Sequence, residues 1–124
     1  MAAVGVHHPQ EDAEFDFVLA HVGGAVLAYF WGVWAAACKD LEPVVKDVAR
    51  AYAGRVAVVR TDIVRCPEAT KRYEVLGAPT FVLLRDGEAV ATTTEATDGA
   101  GVRAFLDAHL PPVGDRPDRP GPER

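Results

Sequence analysis

The spacing of apolar residues changes several times along the chain, and each change marks an element. Between Glu11 and Val22, Phe15, Val18, Leu19 and Val22 recur at helical intervals, with Pro9 ahead of them and Gly23-Gly24 behind, which predicts a helix. Ala25-Val26-Leu27-Ala28-Tyr29-Phe30-Trp31 is apolar throughout, short and bounded by glycine, the pattern of a central strand buried on both faces. A longer helical segment runs from about Ala35 to Ala53, with Leu41, Val44, Val45, Val48 and Tyr52 on one stripe. Pro43 lies inside it and is expected to kink it, because proline removes one backbone donor and crowds the preceding turn. Val56 to Ile63 is a second β-rich run, and Pro67 to Tyr73 suits a short helix with its proline in the first turn.

Asp86-Gly87 separates two strand-like runs, Thr80 to Leu84 and Ala89 to Thr94, and so predicts a hairpin. A last helix from Gly99 to His109 turns Val102, Phe105, Leu106 and Leu110 inward. With a first strand at about Ala3 to His7, the order is βαβαβαββα. This predicts an α/β fold: a mixed central sheet, parallel at its core and antiparallel in its C-terminal hairpin, with helices on both faces. The folded domain is expected to span residues 1–110. Pro111 to Arg124 holds five of the nine prolines and no large apolar residue beyond Val113, so it is expected to be a disordered tail.

Composition narrows the function classes. The 124 residues carry a net charge of -5 and no basic patch interleaved with aromatics, so nucleic acid is not an expected partner. The longest uncharged apolar run, Val22 to Cys38, has 17 residues and is broken by glycines, which is too short and interrupted for a membrane span. No basic residue precedes an apolar stretch at Met1 to Gln10, so no secretory signal is expected and the cytoplasm is the expected compartment. Cys38 and Cys66 form neither a disulfide framework nor a metal-ligand spacing, and His7, His8, His21 and His109 are scattered. No metal site and no cofactor are expected.

Particular residues add to this order. Phe30-Trp31-Gly32-Val33-Trp34-Ala35-Ala36-Ala37-Cys38-Lys39, then Pro43, then Gly77-Ala78-Pro79-Thr80, then the turn Asp86-Gly87, together resemble the thioredoxin family over about residues 3–110. The resemblance implies a thioredoxin-like fold in which Pro79 is a cis-proline facing the active-site loop and offering its backbone to an extended substrate segment. A trans proline opening a strand is the alternative. Where the family reads Trp-Cys-Gly-Pro-Cys-Lys, this chain reads Trp34-Ala35-Ala36-Ala37-Cys38-Lys39, so Ala35 stands in place of the nucleophilic cysteine. Tyr29 stands where the family has a buried acid, and Glu95 where it has a groove glycine.

Disulfide exchange needs an exposed thiolate and a second thiol to resolve the mixed disulfide. A helix N-terminus lowers a thiol pKa, and that position here is Ala35. Cys38 lies nearly a turn further in and is expected to be a buried, inert thiol. Cys66 is expected at the periphery, too far from Cys38 to meet the Cα separation of about 7 Å that a disulfide allows. Its readings are a thiol activated by the short helix and Arg65, or a chance surface cysteine. Trp34 is expected to be partly exposed, Trp31 to be either groove wall or core, and Tyr29 to pack as an aromatic with a hydroxyl partner. Lys39 is expected to pair with a neighbouring acid.

Three functions follow as expectations. The first is a thioredoxin-like protein without dithiol-disulfide oxidoreductase activity, which holds a protein or peptide client in a groove formed by Trp34, Ala78, Pro79, Thr80 and Glu95. The second is a thiol-disulfide oxidoreductase, using Cys38 alone or silenced by an engineered replacement at position 35. The third is a structural subunit of a larger complex.

Overall fold

The computed structural model describes residues 5–110. The expected tail, and the first residues of the strand predicted at Ala3 to His7, lie outside them. The elements run β1 (Val6–His7), α1 (Asp12–Val22), β2 (Ala25–Trp31), α2 (Ala36–Ala51), β3 (Ala57–Asp62), α3 (Pro67–Arg72), β4 (Thr80–Arg85), β5 (Glu88–Thr93) and α4 (Gly99–His109). The five strands form one sheet in the order β1-β3-β2-β4-β5. β1 and β2 lie parallel to β3 on either side of it, while β4 is antiparallel to β2 and β5 antiparallel to β4. This is the predicted mixed sheet.

Alternation along the central strands divides the interior into two cores. Leu27 and Tyr29 of β2, Val58 of β3, and Phe81 and Leu83 of β4 face one side, where they meet Leu41, Val45 and Val48 of α2 and Val102 and Leu106 of α4. Val26, Ala28 and Phe30, Val59, and Val82 and Leu84 face the other side, against Phe15 of α1 and Ala69 of α3. A strand covered on both faces has no polar side to show, which is why the β2 sequence is apolar without a break. Asp86 and Gly87 have φ of 52° and 83°, the left-handed pair that a two-residue hairpin turn requires. Beyond the turn Leu83 faces Ala91 but Leu84 faces Ala89, so Val90 is the extra residue of a bulge and is turned to solvent.

α2 runs through Pro43 as one helix. Its first predicted residue, Ala35, is the extended N-cap instead, with φ -93° and ψ 108°. α3 is short and is pinned from a distance. The Asp12 carboxylate, at the start of α1, accepts hydrogen bonds from the backbone N–H groups of Glu68 (3.1 Å) and Ala69 (2.9 Å). Those are donors that a helix start otherwise leaves unsatisfied. α4 is capped by Asp98, whose carboxylate accepts from the Gly101 N–H at 2.8 Å.

Candidate functional site

The parallel strands β2 and β3 end at the same edge of the sheet, and β4 begins there. Thr80 pairs with Phe30, so Ala78-Pro79 extends past the ladder beside Trp31 and the loop of residues 32–35. Ala35, Trp31 and Ala78 pack against the same core. The Ala78-Pro79 peptide bond is cis. Thr80 is buried and its Oγ1 donates to the Gly77 carbonyl at 2.6 Å, which fixes the approach to the proline. On the far side Phe81 pairs with Thr93, and continuing that register sets Glu95, which is exposed, level with Pro79.

Trp34 is 59% exposed. Its indole lies over Gly32: a Cβ there would stand 2.6 Å from Trp34 Cζ2, so glycine is what lets the ring fold onto the loop. Trp31 is neither open wall nor closed core. The Arg60 guanidinium covers its ring at 3.7 Å and is itself held by both carboxylate oxygens of Glu42 at 2.9 Å. The Trp31 Nε1 is buried without a hydrogen-bond partner among the described residues. The sequence offers one signal for this cover, an arginine that follows Ala57-Val58-Val59 within a strand.

The N-cap of α2, where a thiol would be activated, carries the methyl group of Ala35. Cys38 is 3% exposed and packs in the core between sheet and α2. The hydroxyl of Tyr29 donates to its backbone carbonyl at 3.3 Å, and the Tyr29 ring stacks on Phe81 with centroids 5.0 Å apart. Burial, then this hydrogen bond, pushes the Tyr29 hydroxyl well above the usual phenol range. It holds its proton and cannot act as a base.

Two expectations need correction. Cys66 is not peripheral: it is 0% exposed, within the core on the opposite side of the sheet from Cys38. Docking of α3 under α1 through Asp12 draws it inside. Burial first, then the carboxylates of Asp12 and Asp62, pushes its thiol up to about 11, so the helix start and Arg65 do not activate it. Both cysteines are free. Lys39 is exposed and forms no ion pair among the described residues.

The buried thiol makes a testable contribution to pH stability. The native chain keeps the Cys66 proton to about pH 11, whereas an unfolded chain releases it near 9. That stabilisation is complete below about pH 9 and is lost as pH rises toward 11, at up to about 1.4 kcal/mol per unit. Urea melts at stepped alkaline pH should show this fall, and Cys66→Ala should flatten its first part. A parallel fall in both proteins would contradict the assignment.

Of the exposed apolar residues at this end, the sequence singles out Trp34 alone. Val33, Trp34, Val64 and Leu76 are four of the six large hydrophobic residues exposed among the described residues, and all lie on loops at the edge where β2 and β3 end. No described helix is long and apolar enough to cross a membrane.

Known proteins match the whole of this architecture. The family model Thioredoxin covers residues 6–108. Thioredoxin C-2 of Corynebacterium nephridii is 31% identical over 110 residues, 89% of this chain and 100% of that protein. A thioredoxin of Pseudomonas aeruginosa is 35% identical over 99 residues, 80% of this chain and 92% of that one. Among solved structures, a mutant thioredoxin from Halobacterium salinarum superposes with a TM-score of 0.77 at 28% identity, covering 91% of this chain and 97% of its own.

Proposed function

This chain belongs to the thioredoxin family, and we propose that it acts there as a binding module without dithiol-disulfide exchange. The loop at Trp34-Ala35 and the backbone of Ala78-Pro79-Thr80 hold an extended segment of a protein or peptide client through strand-like hydrogen bonds. The observation that carries the reading is the placement of sulfur. Position 35 has none, and Cys38 and Cys66 are 3% and 0% exposed. A client disulfide must be attacked in line by a thiolate, and neither thiol can present one without local unfolding. The exposed apolar loops around the groove support retention of binding after the loss of the nucleophile.

Insulin reduction in dithiothreitol tests the silence directly. The protein is expected to leave the rate at the reagent blank, and turnover clearly above it would overturn the reading. Binding is tested with peptides selected on the intact protein from a random library. Trp34→Ala is expected to weaken them about tenfold, the loss typical of a truncated aromatic anchor; unchanged affinity would place binding elsewhere.

A further inference from the structure

The loops around the groove differ in chemistry from wall to wall. Leu76, three residues before Pro79, is 99% exposed, and its segment is held firmly rather than loose. The Glu74 N–H donates to the Lys71 carbonyl at 3.1 Å and the Val75 N–H to the Thr70 carbonyl at 2.9 Å. Glu74 itself is held at φ 57°, a left-handed conformation that non-glycine residues rarely adopt. The leucine is thus presented by a fixed turn. At its foot a hollow opens, walled by Ile63, Pro67, Thr70 and Val75 with Lys71 and Glu74 at the rim. Val64, on the neighbouring loop, adds a second exposed apolar side chain.

The opposite wall carries one exposed carboxylate, Glu95. By the register of β4 with β5, Glu95 stands level with Pro79. The connections at this end, residues 32–35, 63–66, 73–79 and 94–98, hold three carboxylates, Glu74 in the Leu76 turn and Glu95 and Asp98 after β5, and one basic residue, Arg65. Asp98 is engaged as the cap of α4, which leaves Glu95 as the other carboxylate of the connection after β5.

We infer that the client is a basic, apolar extended segment. One of its apolar side chains lies on Leu76 and Val64, and a lysine or arginine further along pairs with Glu95. This rests on the groove reading above and specifies its partner. The pairing of a charged side chain at an exposed rim sets selectivity more than affinity, and it weakens as salt screens it.

The test uses the same random peptide selection on the intact chain. Peptides enriched on the wild type should carry excess Lys and Arg beside an apolar residue. Glu95→Lys should weaken those peptides about tenfold at low salt, an attraction turned into a repulsion, and should shift a fresh selection toward Asp and Glu. Leu76→Ser, at a fully exposed position, should weaken them about fivefold without a change in thermal unfolding. Peptides that lose affinity on Trp34→Ala yet ignore both Glu95→Lys and Leu76→Ser would overturn this inference and leave the groove standing. Peptides indifferent to Trp34→Ala would overturn both. A wild-type selection without charge bias overturns the inference alone.

Discussion

Ala35→Cys is expected to create one fast-reacting thiol in a protein whose native thiols are slow. Position 35 is the N-cap of α2, half-buried, where unsatisfied backbone N–H groups and the helix dipole lower a thiol pKa. Near pH 7 a thiol shifted to about 7 is half ionised, while Cys66, pushed up to about 11, is ionised to roughly one part in ten thousand. Before accessibility is considered, the introduced thiol should therefore react with a chromogenic disulfide faster than Cys66 by a factor of about a thousand or more. It also stands three residues before Cys38 across the first helical turn, a separation within the range a disulfide accepts.

Insulin turnover should rise above the blank in this variant but stay at least about tenfold below a Cys-Gly-Pro-Cys thioredoxin assayed alongside. Resolving the mixed disulfide needs Cys38 to lose a proton inside the core, and the residue beside it is Tyr29, which holds its own proton. General acid–base assistance is worth about a hundredfold or more where it operates. Full turnover in Ala35→Cys would show that Tyr29 costs the site nothing. A slow thiol at position 35 would show that the helix start does not activate sulfur in this loop.

Tyr29→Asp is the second large effect, and it falls on stability. Tyr29 is fully buried, stacked on Phe81 and bonded to the Cys38 carbonyl. A carboxyl group there loses the ring contacts, and the nearby cation Arg60 is committed to Glu42 and Trp31. A loss of about 3–5 kcal/mol is expected near neutral pH. The sign with pH follows from linkage. Burial raises the folded carboxyl pKa above the unfolded value of about 4, so the native state binds the extra proton and stability falls as pH rises through and above 4. Tyr29→Phe, which removes only the hydrogen bond, should cost about 1 kcal/mol at all pH values below the phenol range. Chemical denaturation of the three proteins at acid and neutral pH separates these cases. A Tyr29→Asp protein within about 1 kcal/mol of wild type would mean that the site still accommodates an acid.

The contrast between what the chain announces and what it conceals has a simple physical origin. β2, the Asp86-Gly87 hairpin and α4 were readable because each is specified by neighbours in sequence: an unbroken apolar run, a pair of residues suited to positive φ, a helical stripe. The missing sulfur at position 35 was equally plain. Cys66 was not, because its burial depends on Asp12 reaching across 57 residues to Ala69, and no local pattern records such a contact. The sequence does not decide between groove and core for Trp31 because its cover, Arg60, comes from the adjacent strand. Leu76 and Val64 escaped notice for the opposite reason, since an apolar residue in a loop reads the same whether the fold hides it or displays it. The resemblance alone puts Glu95 in the groove with Pro79, and the β4–β5 register supplies the physical basis for that placement.

Counting reactive thiols in the folded protein tests the account at its centre. With a chromogenic disulfide near neutral pH, the native chain should show no rapidly reacting thiol, and concentrated guanidinium should release both Cys38 and Cys66 at once. One equivalent reacting rapidly under native conditions, and abolished by Cys38→Ala, would mean that the core opens to a disulfide and that the protein can exchange electrons after all.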